Sequence, residues 1–493
     1  MTAPMALAAA RPGGRRFLWV AATLWFYFLG QVAVRTDLAV AALLTLAIAF
    51  GLLSILAAGG LQSAWGLLNA VLLTKFLLLA VLLKIVLRQP ADTNLRAPVT
   101  TSWVMVLGFL GLWGATVLFR HLPRPKLPLL AGDAPPGTYP MFSLVLVVFC
   151  LGGYCLEARA DSVAWGLQTG GVLGVARSLA AFRAFVLVPV MFQVWRSGSR
   201  WFLLHPLTVV VLLSELGLGL FSTGKLEIME PLMYFCLVAV LRLGWRDKRI
   251  WTMGAAIVLL YGLLVYPYSQ YIRDYGGREG GASSRLAAVK GTVAGMLADT
   301  NFRAVISSYS EPLTDRYWGV SGLAPFARFA MIGEGDRLIA ATEQTQSYTG
   351  WETITWELKM LVPRVLYPQK PVVGPGAYLA HIAGDSPPED DTTQWAYGPF
   401  AIFYSAFGLV GVGLGSVIGF AAYYAWSALF FGNPRPVAAP VPAALWFVCI
   451  FGLNQHTLAE SGVTGSLWRC PLLMAAMYLF ARKAAQWFPK ASR

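Results

Sequence analysis

The chain has 493 residues, of which 57% are hydrophobic and only 13% charged, with a mean hydropathy of +0.61. A soluble protein of this size carries about twice that charge, so the composition excludes a soluble globular enzyme and points to a polytopic membrane protein. The formal net charge of +14 is not a nucleic-acid signature, because no basic run is longer than a few residues; cytoplasmic loops that collect Lys and Arg account for it.

A spanning helix needs about 20 mostly apolar residues. In chain order the segments that meet this are 17–34, 38–58, 64–87, 100–120, 140–156, 179–195, 203–221, 228–243, 250–268, 399–425, 440–457 and 464–481, about twelve in all. The first follows a basic stretch, "RPGGRRFLWV", as in a signal peptide. No small-residue cleavage site comes after it and a second apolar span begins at once, so it reads as an uncleaved first span. Residues 157–182 are Gly-rich and mildly amphipathic, and fit an interfacial helix, a re-entrant segment or part of a longer span. The five cysteines fall within or beside apolar segments and do not form a disulfide framework.

With the N-terminus inside, the inside segments hold seventeen Lys and Arg, while the short outside loops mix their cations with acids. The positive-inside rule therefore places both ends in the cytoplasm. The expected fold is an all-α polytopic bundle, N-in and C-in, in three parts. Residues 1–268 form an N-terminal transmembrane bundle, 269–396 one large extracytoplasmic loop, and 397–493 the C-terminal spans.

The large loop carries eight Arg and three Lys against fourteen Asp and Glu, a net charge of −3 in a chain of +14. Helical spacing of Leu286, Val289, Val293 and Leu297, and of Trp351, Ile354, Leu358 and Leu361, predicts short amphipathic helices on the outer face. Trp351 and Trp356 suit the membrane–water interface. No internal repeat is visible, and a single large loop in the last third argues against an inverted-repeat transporter.

There is no phosphate loop, GxSxG, HExxH or CxxC in the chain, so neither nucleotide nor metal chemistry is indicated and no cofactor is expected. The informative residues are cations of the loop that run against the positive-inside trend: Arg273, Arg278, Arg285, Arg303, Arg316, Arg328, Arg364 and Lys370. Taken singly, each is more commonly a salt bridge or a side chain reaching lipid phosphate. As a set they are bracketed by conformational locks. In "YIRDYGGREGG" two Gly-Gly pairs flank Arg278, with Arg273 just before them, and in "LVPRVLYPQKP" prolines flank Arg364 and Lys370. Glycine lets backbone approach a ligand and proline lowers the entropy of ordering a loop. Preorganised Arg binds phosphate bidentately, with Lys a point charge beside it. The natural partner is a lipid-linked phosphate or diphosphate.

The order "VPRVLYPQKP", then Thr392-Thr393, then "YGPFAIFYSAFGLVGVGLGSVIGF", resembles the integral-membrane oligosaccharide repeat-unit polymerases, the O-antigen (Wzy-type) family. "LFSTGKLEIMEPLMYFCLVAVLR" is similar to that family's Gly-Ser-Arg-type element, with Thr223-Gly224-Lys225 as a departure. The resemblance covers 220–425. It implies a GT-C-like, metal- and nucleotide-independent membrane glycosyltransferase of the bacterial inner membrane, its active site facing the periplasm. The substrate would be an undecaprenyl-diphosphate-linked oligosaccharide, and the surroundings membrane lipids, a flippase and a chain-length regulator.

On this reading Arg364 and Lys370 clamp the diphosphate, while Arg273 and Arg278 take a second phosphate or the acceptor lipid. Arg303 and Arg328 join the binding set with Trp351. Candidate general bases are His381, Glu334 and Glu460. His456 and Glu460, four apart, share a helix face at the outer mouth and are counted with substrate binding; a helix–helix polar tie is the commoner role for such a pair. "HIAGD" has metal-like spacing from His381 to Asp385, but "GDSPPEDD" reads as a flexible acidic loop. Alternatives that remain open are a glycan ligase, a flippase or exporter of the same lipid-linked sugar, and a structural subunit.

Overall fold

A computed structural model describes residues 15–61, 63–121, 137–159, 183–220, 225–244, 247–275, 287, 289–295, 317–320, 329–362, 367, 369, 375–390, 395–431 and 470–487. Among these residues every regular element is helical. Five helices are long and apolar enough to cross a membrane: Leu38–Ala57, Trp65–Val86, Pro98–His121, Lys248–Ser269 and Pro399–Ala425. Leu18–Ala33, Thr138–Gly152 and Pro206–Leu220 are apolar but shorter. All eight overlap expected spans; the expected span 440–457 lies outside the described residues, as does most of 157–182.

The helices gather in two packets. The first holds α1 (Arg15–Ala33), α2 (Leu38–Ala57), α3 (Ala64–Leu73), α4 (Leu79–Val86) and α5 (Pro98–His121). A five-residue π-turn, Thr74–Leu78, joins α3 to α4 within one continuous span. The second packet holds α6 (Thr138–Arg159), α7 (Leu187–Arg196), α8 (Pro206–Leu220), α9 (Lys225–Leu243), α10 (Lys248–Leu260) and α11 (Tyr266–Tyr275). Five later helices follow: α12 (Met331–Thr345) and α15 (Pro399–Phe431) pack on the first packet, α14 (Pro375–Ala383) packs on α12, α13 (Trp351–Leu361) on α14 and α15, and α16 (Cys470–Trp487) on α6 of the second.

Apolar helices in lipid have no hydrophobic drive toward one another, so small residues and buried polar ties hold them. Both devices are present between α5 and α15. A Cβ on Gly108 would lie 2.5 Å from the Phe400 ring, and one on Gly111 2.5 Å from Ser416 Cβ. Further along, Tyr424 donates to Asn69 Oδ1 at 2.6 Å, and Asn69 Nδ2 donates to Ser54 O and Thr116 Oγ1, both at 3.2 Å. That buried network ties four spans at one level. The second packet has a buried ion pair instead, Arg183 Nε to Glu215 Oε2 at 3.7 Å.

α15 is not one straight span. Phe407 (φ −143°, ψ 23°) and Gly408 (φ 63°, ψ −153°) interrupt it, and the residues before the break fold back on those after it. A Cβ at Gly415 would sit 2.8 Å from the Phe403 ring, one at Gly411 2.4 Å from Phe403 O, and one at Gly419 3.3 Å from the same ring. The glycines four residues apart therefore form the flat face that receives the short arm of a helical hairpin. Gly408 supplies the left-handed turn at its tip. The carbonyls freed there are satisfied: Thr349 N donates to Ser405 O at 2.8 Å and Gly350 N to Ala406 O at 3.1 Å.

Candidate functional site

The loop after α4, residues 87–97, closes one end of the first packet, and the later helices are tied down over it. Lys84, fully buried in the last turn of α4, donates to Gln89 Oε1 at 3.2 Å and Thr93 O at 3.0 Å. Its ammonium lies 4.7 Å from the Tyr317 ring centroid, a cation–π contact. Tyr317 donates its hydroxyl to Ala91 O at 2.9 Å, Asn94 Nδ2 donates to Tyr317 O at 2.9 Å, and Trp318 Nε1 to Ala80 O at 3.2 Å. Burial pushes the Tyr317 hydroxyl far above its ordinary pKa, with Asp92 and Asp336 adding to the effect. It is a structural donor, not an acid.

α12 lies across the entry to α5. Asp336, 1% exposed, accepts from Arg96 N at 2.6 Å, Ala97 N at 3.0 Å and Thr101 Oγ1 at 2.7 Å. Pro98 opens α5, where its missing N–H costs nothing. Asp336 thus satisfies the two main-chain donors just before the helix from a partner 240 positions away. Thr100 Oγ1 donates to Glu343 Oε1 at 3.1 Å, a second pin two turns further along α12. Burial raises the Asp336 pKa above the ordinary carboxylate value, against the pull of the Arg96, Thr101 and Ala97 donors.

The next residue of α12, Arg337, pairs with Asp385, whose side chain is fully buried, and Tyr397 donates its hydroxyl to the other oxygen of that carboxylate at 2.8 Å. The Arg337 Nε, also buried, has no hydrogen-bond partner among the described residues. Through this pair α12, the turn after α14 and the approach to the hairpin are locked together. Gly398, at φ 85°, makes the final bend: a Cβ there would lie 2.3 Å from the Phe76 ring, in the π-turn of the span. This stretch of non-helical backbone sits beside the middle of a 22-residue span, and it is walled by protein: Ala396 and Tyr397 are buried.

The residues singled out in the sequence distribute as follows. Glu334 is half-buried on α12 and His381 half-buried on α14, and these two helices pack together. His381 Nε2 lies 3.1 Å from Asp390 O, and Ser386 Oγ donates to Asp390 Oδ2 at 3.2 Å. The acidic stretch expected to be a flexible loop is thus tied at His381, Asp385, Ser386 and Asp390. With Asp385 turned to Arg337, the described geometry does not set His381 and Asp385 around one metal ion. Trp351 is 70% exposed at the start of α13, its ring edge-on to Phe407 at 5.2 Å. Glu352, beside it, accepts from the Tyr378 hydroxyl at 2.9 Å. Burial, then Glu352, pushes that hydroxyl up to about 12. Arg273 is in the last turn of α11. Its side chain, and Arg278, Arg303, Arg328, Arg364, Lys370, His456 and Glu460, lie outside what is described.

Sequence reasoning missed Lys84, Asp336, Arg337 and Tyr397, and weighed Asp385 only for its metal-like spacing from His381. The signal for Lys84 was a cation near the end of an apolar span that also carries Lys75, since an intramembrane charge is a site candidate by default. For Asp336 and Arg337 it was a charged pair directly followed by the apolar Leu338 and Ile339 of the same helix, all but Arg337 buried.

No protein-family model, no curated protein and no solved structure matches this chain.

Proposed function

We propose that the protein is a membrane glycosyltransferase that polymerises lipid-diphosphate-linked oligosaccharide repeat units. The observation that carries the reading is the order of elements from Trp351 to Phe431: an amphipathic helix, a proline-framed cation pair, then a glycine-faced hairpin. This is the order of the O-antigen polymerase resemblance, and the hairpin gives a physical reason for its glycines. Twelve spans, both ends in the cytoplasm, a GT-C-like bundle and an active site facing the periplasm belong to the same proposal.

In the reaction, the hydroxyl of the acceptor glycan attacks the anomeric carbon of the donor glycan. The anomeric C–O bond breaks, its electron pair leaves with the lipid diphosphate, and the acceptor proton passes to a base. A diphosphate is a good leaving group, so the main task is to hold it and neutralise the developing charge. Arg364 and Lys370 are assigned that task, with Arg278 on the acceptor side. His381 and Glu334, on helices that pack together, are the base candidates with half-buried side chains.

The test is purified protein in nanodiscs with an undecaprenyl-diphosphate oligosaccharide, comparing wild type with Arg364→Ala and Arg278→Ala. Chain growth by the wild type, with loss of about a hundredfold or more in both variants, is expected for lost charge stabilisation. No chain growth by folded wild type, or full activity in both variants, refutes the reading. Transfer only to a lipid-core acceptor makes it a ligase, and transport without new glycosidic bonds makes it a flippase.

A further inference from the structure

At one end of the second packet α7 and α9 finish while α6, α8 and α10 begin. Ring contacts run in a row across this end: Tyr139 to Phe192 at 5.8 Å, Phe192 to Trp195 at 5.7 Å, and Trp195 to Phe202 at 6.3 Å. A guanidinium is seated at each end of the row, Arg196 4.7 Å from the Tyr139 ring centroid and Arg242 4.2 Å from that of Phe202. Such seating holds a charge in place without neutralising it. The last turns of α16 join the same end. A Cβ at Gly137 would lie 4.0 Å from Ala485 Cβ, and Arg196 and Arg482 are both within electrostatic reach of the Tyr478 hydroxyl.

The charges here are one-sided. Asp247 is the one acid among the described residues of this end, and Arg249 takes it at 2.8 Å. Arg200, Arg242, Lys248, Arg482 and Lys483 make no ion pair among the described residues. Arg242 is the most constrained of them. Its Nη2 donates to Ser199 O at 3.0 Å, while its Nη1 is buried with no hydrogen-bond partner among the described residues. An unmatched buried donor on a charged group is costly, and a phosphate oxygen would satisfy it. Two exposed indoles set the depth: Trp201, 70% exposed, follows Arg200, and Trp251, 67% exposed, comes two residues after Arg249. Exposed indoles settle among lipid headgroups, which puts these cations at the level of the lipid phosphates.

We infer that this end of the second packet binds the phosphate of an anionic phospholipid, with Arg242 as its fixed donor and Arg196, Arg200 and Arg482 as the surrounding charge. The inference is independent of the polymerase reading. A zwitterionic lipid brings its own ammonium to the same cations and gains less from them. Salt separates a site from a diffuse basic surface, because half-buried Arg242 keeps its hold where exposed charges are screened.

The purified full chain is held in detergent with equal amounts of phosphatidylglycerol and phosphatidylethanolamine of the same acyl chains, at physiological ionic strength, and bound lipid is counted by native mass spectrometry. Wild type is expected to retain phosphatidylglycerol over phosphatidylethanolamine about tenfold. Arg242→Gln is expected to lower that preference about fivefold. Arg200→Gln combined with Lys248→Gln, both exposed, should lower it as well, and carries the test if Arg242→Gln does not fold. Arg88→Gln, an exposed cation just after α4 in the other packet, should leave it unchanged. Equal retention of the two lipids by wild type overturns the proposal. So does an equal loss in Arg88→Gln and Arg242→Gln, since net charge alone then attracts the lipid. Release of phosphatidylglycerol by the same concentration of glycerophosphoglycerol, the headgroup without its chains, overturns the lipid assignment in favour of a site for soluble phosphates.

Discussion

Replacing Asp336 with Ala tests whether α12 is fastened to the bundle by that one carboxyl. The substitution takes the acceptor from Arg96 N, Ala97 N and Thr101 Oγ1, at 2.6, 3.0 and 2.7 Å. A buried donor left without a partner costs about 1–3 kcal/mol. The Thr101 hydroxyl can rotate to another acceptor, and the two main-chain groups are only partly buried, which lowers the total to about 2–4 kcal/mol. Asp336→Asn keeps one acceptor oxygen and is expected to cost about half as much. Glu343→Gln, at the half-buried second pin, is expected to cost under about 0.5 kcal/mol. Unfolding of the purified protein in mixed detergent micelles gives the energies. Amide hydrogen exchange across 331–345 locates the loss, since α12 should exchange faster in Asp336→Ala while α2 stays protected. An Asp336→Ala protein within about 0.5 kcal/mol of wild type, with α12 exchange unchanged, refutes the reasoning.

Four further outcomes follow from the same geometry. Asp336 has a raised pKa, so its carboxyl binds a proton more tightly folded than unfolded; the stability it contributes is full below the unfolded value, about 3.9, and is lost as pH rises through the folded value. The stability advantage of wild type over Asp336→Asn should therefore grow as pH falls from neutral toward 4, and an advantage that shrinks refutes the assignment. Arg337→Ala strands the Asp385 carboxylate and should cost about 3–5 kcal/mol, whereas Arg337→Met with Asp385→Leu should cost much less; equal losses argue against a buried pair. Gly411→Ala puts a methyl 2.4 Å from Phe403 O and should destabilise by more than about 2 kcal/mol, while Gly413→Ala meets nothing within 4 Å and should be neutral or slightly stabilising. Tyr424→Phe removes the donor to Asn69 Oδ1 and should cost about 1 kcal/mol, as hydrogen bonds between membrane helices do; a stabilised variant would show that the network is strained.

The helices were legible because apolar length is written locally: 38–58, 64–87, 100–120 and 399–425 each overlap a helix able to span. Trp351 as the start of an amphipathic helix was legible for the same reason. The ties that position the site were not, since they join residues far apart in the chain. Asp336 meets Arg96 and Ala97, Tyr317 meets Ala91, and Tyr424 meets Asn69, and none of these pairs shares a period or motif. Asp385 shows the same limit from the other side. Its neighbours, Gly384, Pro387 and Pro388, read as loose loop by composition, yet a distant arginine and tyrosine fix it.

The glycines of α15 carry the argument one step further. A glycine-rich span by itself predicts close approach of a neighbouring helix, and Gly108 and Gly111 of α5 are used in that way. Gly411, Gly415 and Gly419 are used differently, because what approaches them is Phe403 of their own chain. The period of four fixes one face of a helix, but only the positive φ of Gly408, seven residues before Gly415, turns that face back on its own N-terminal arm. The hairpin then brings two further consequences. Its tip must be capped from outside, which Thr349 and Gly350 do, and capping there anchors the start of α13. The first turn of α13 is therefore fixed against the hairpin tip. Gly408→Val, a β-branched residue at φ 63°, is thus expected to open the tip and to speed amide exchange at Thr349 and Gly350, although Gly408 offers neither of them a side chain. A folded Gly408→Val protein with Thr349 and Gly350 exchanging as in wild type would break that chain of reasoning.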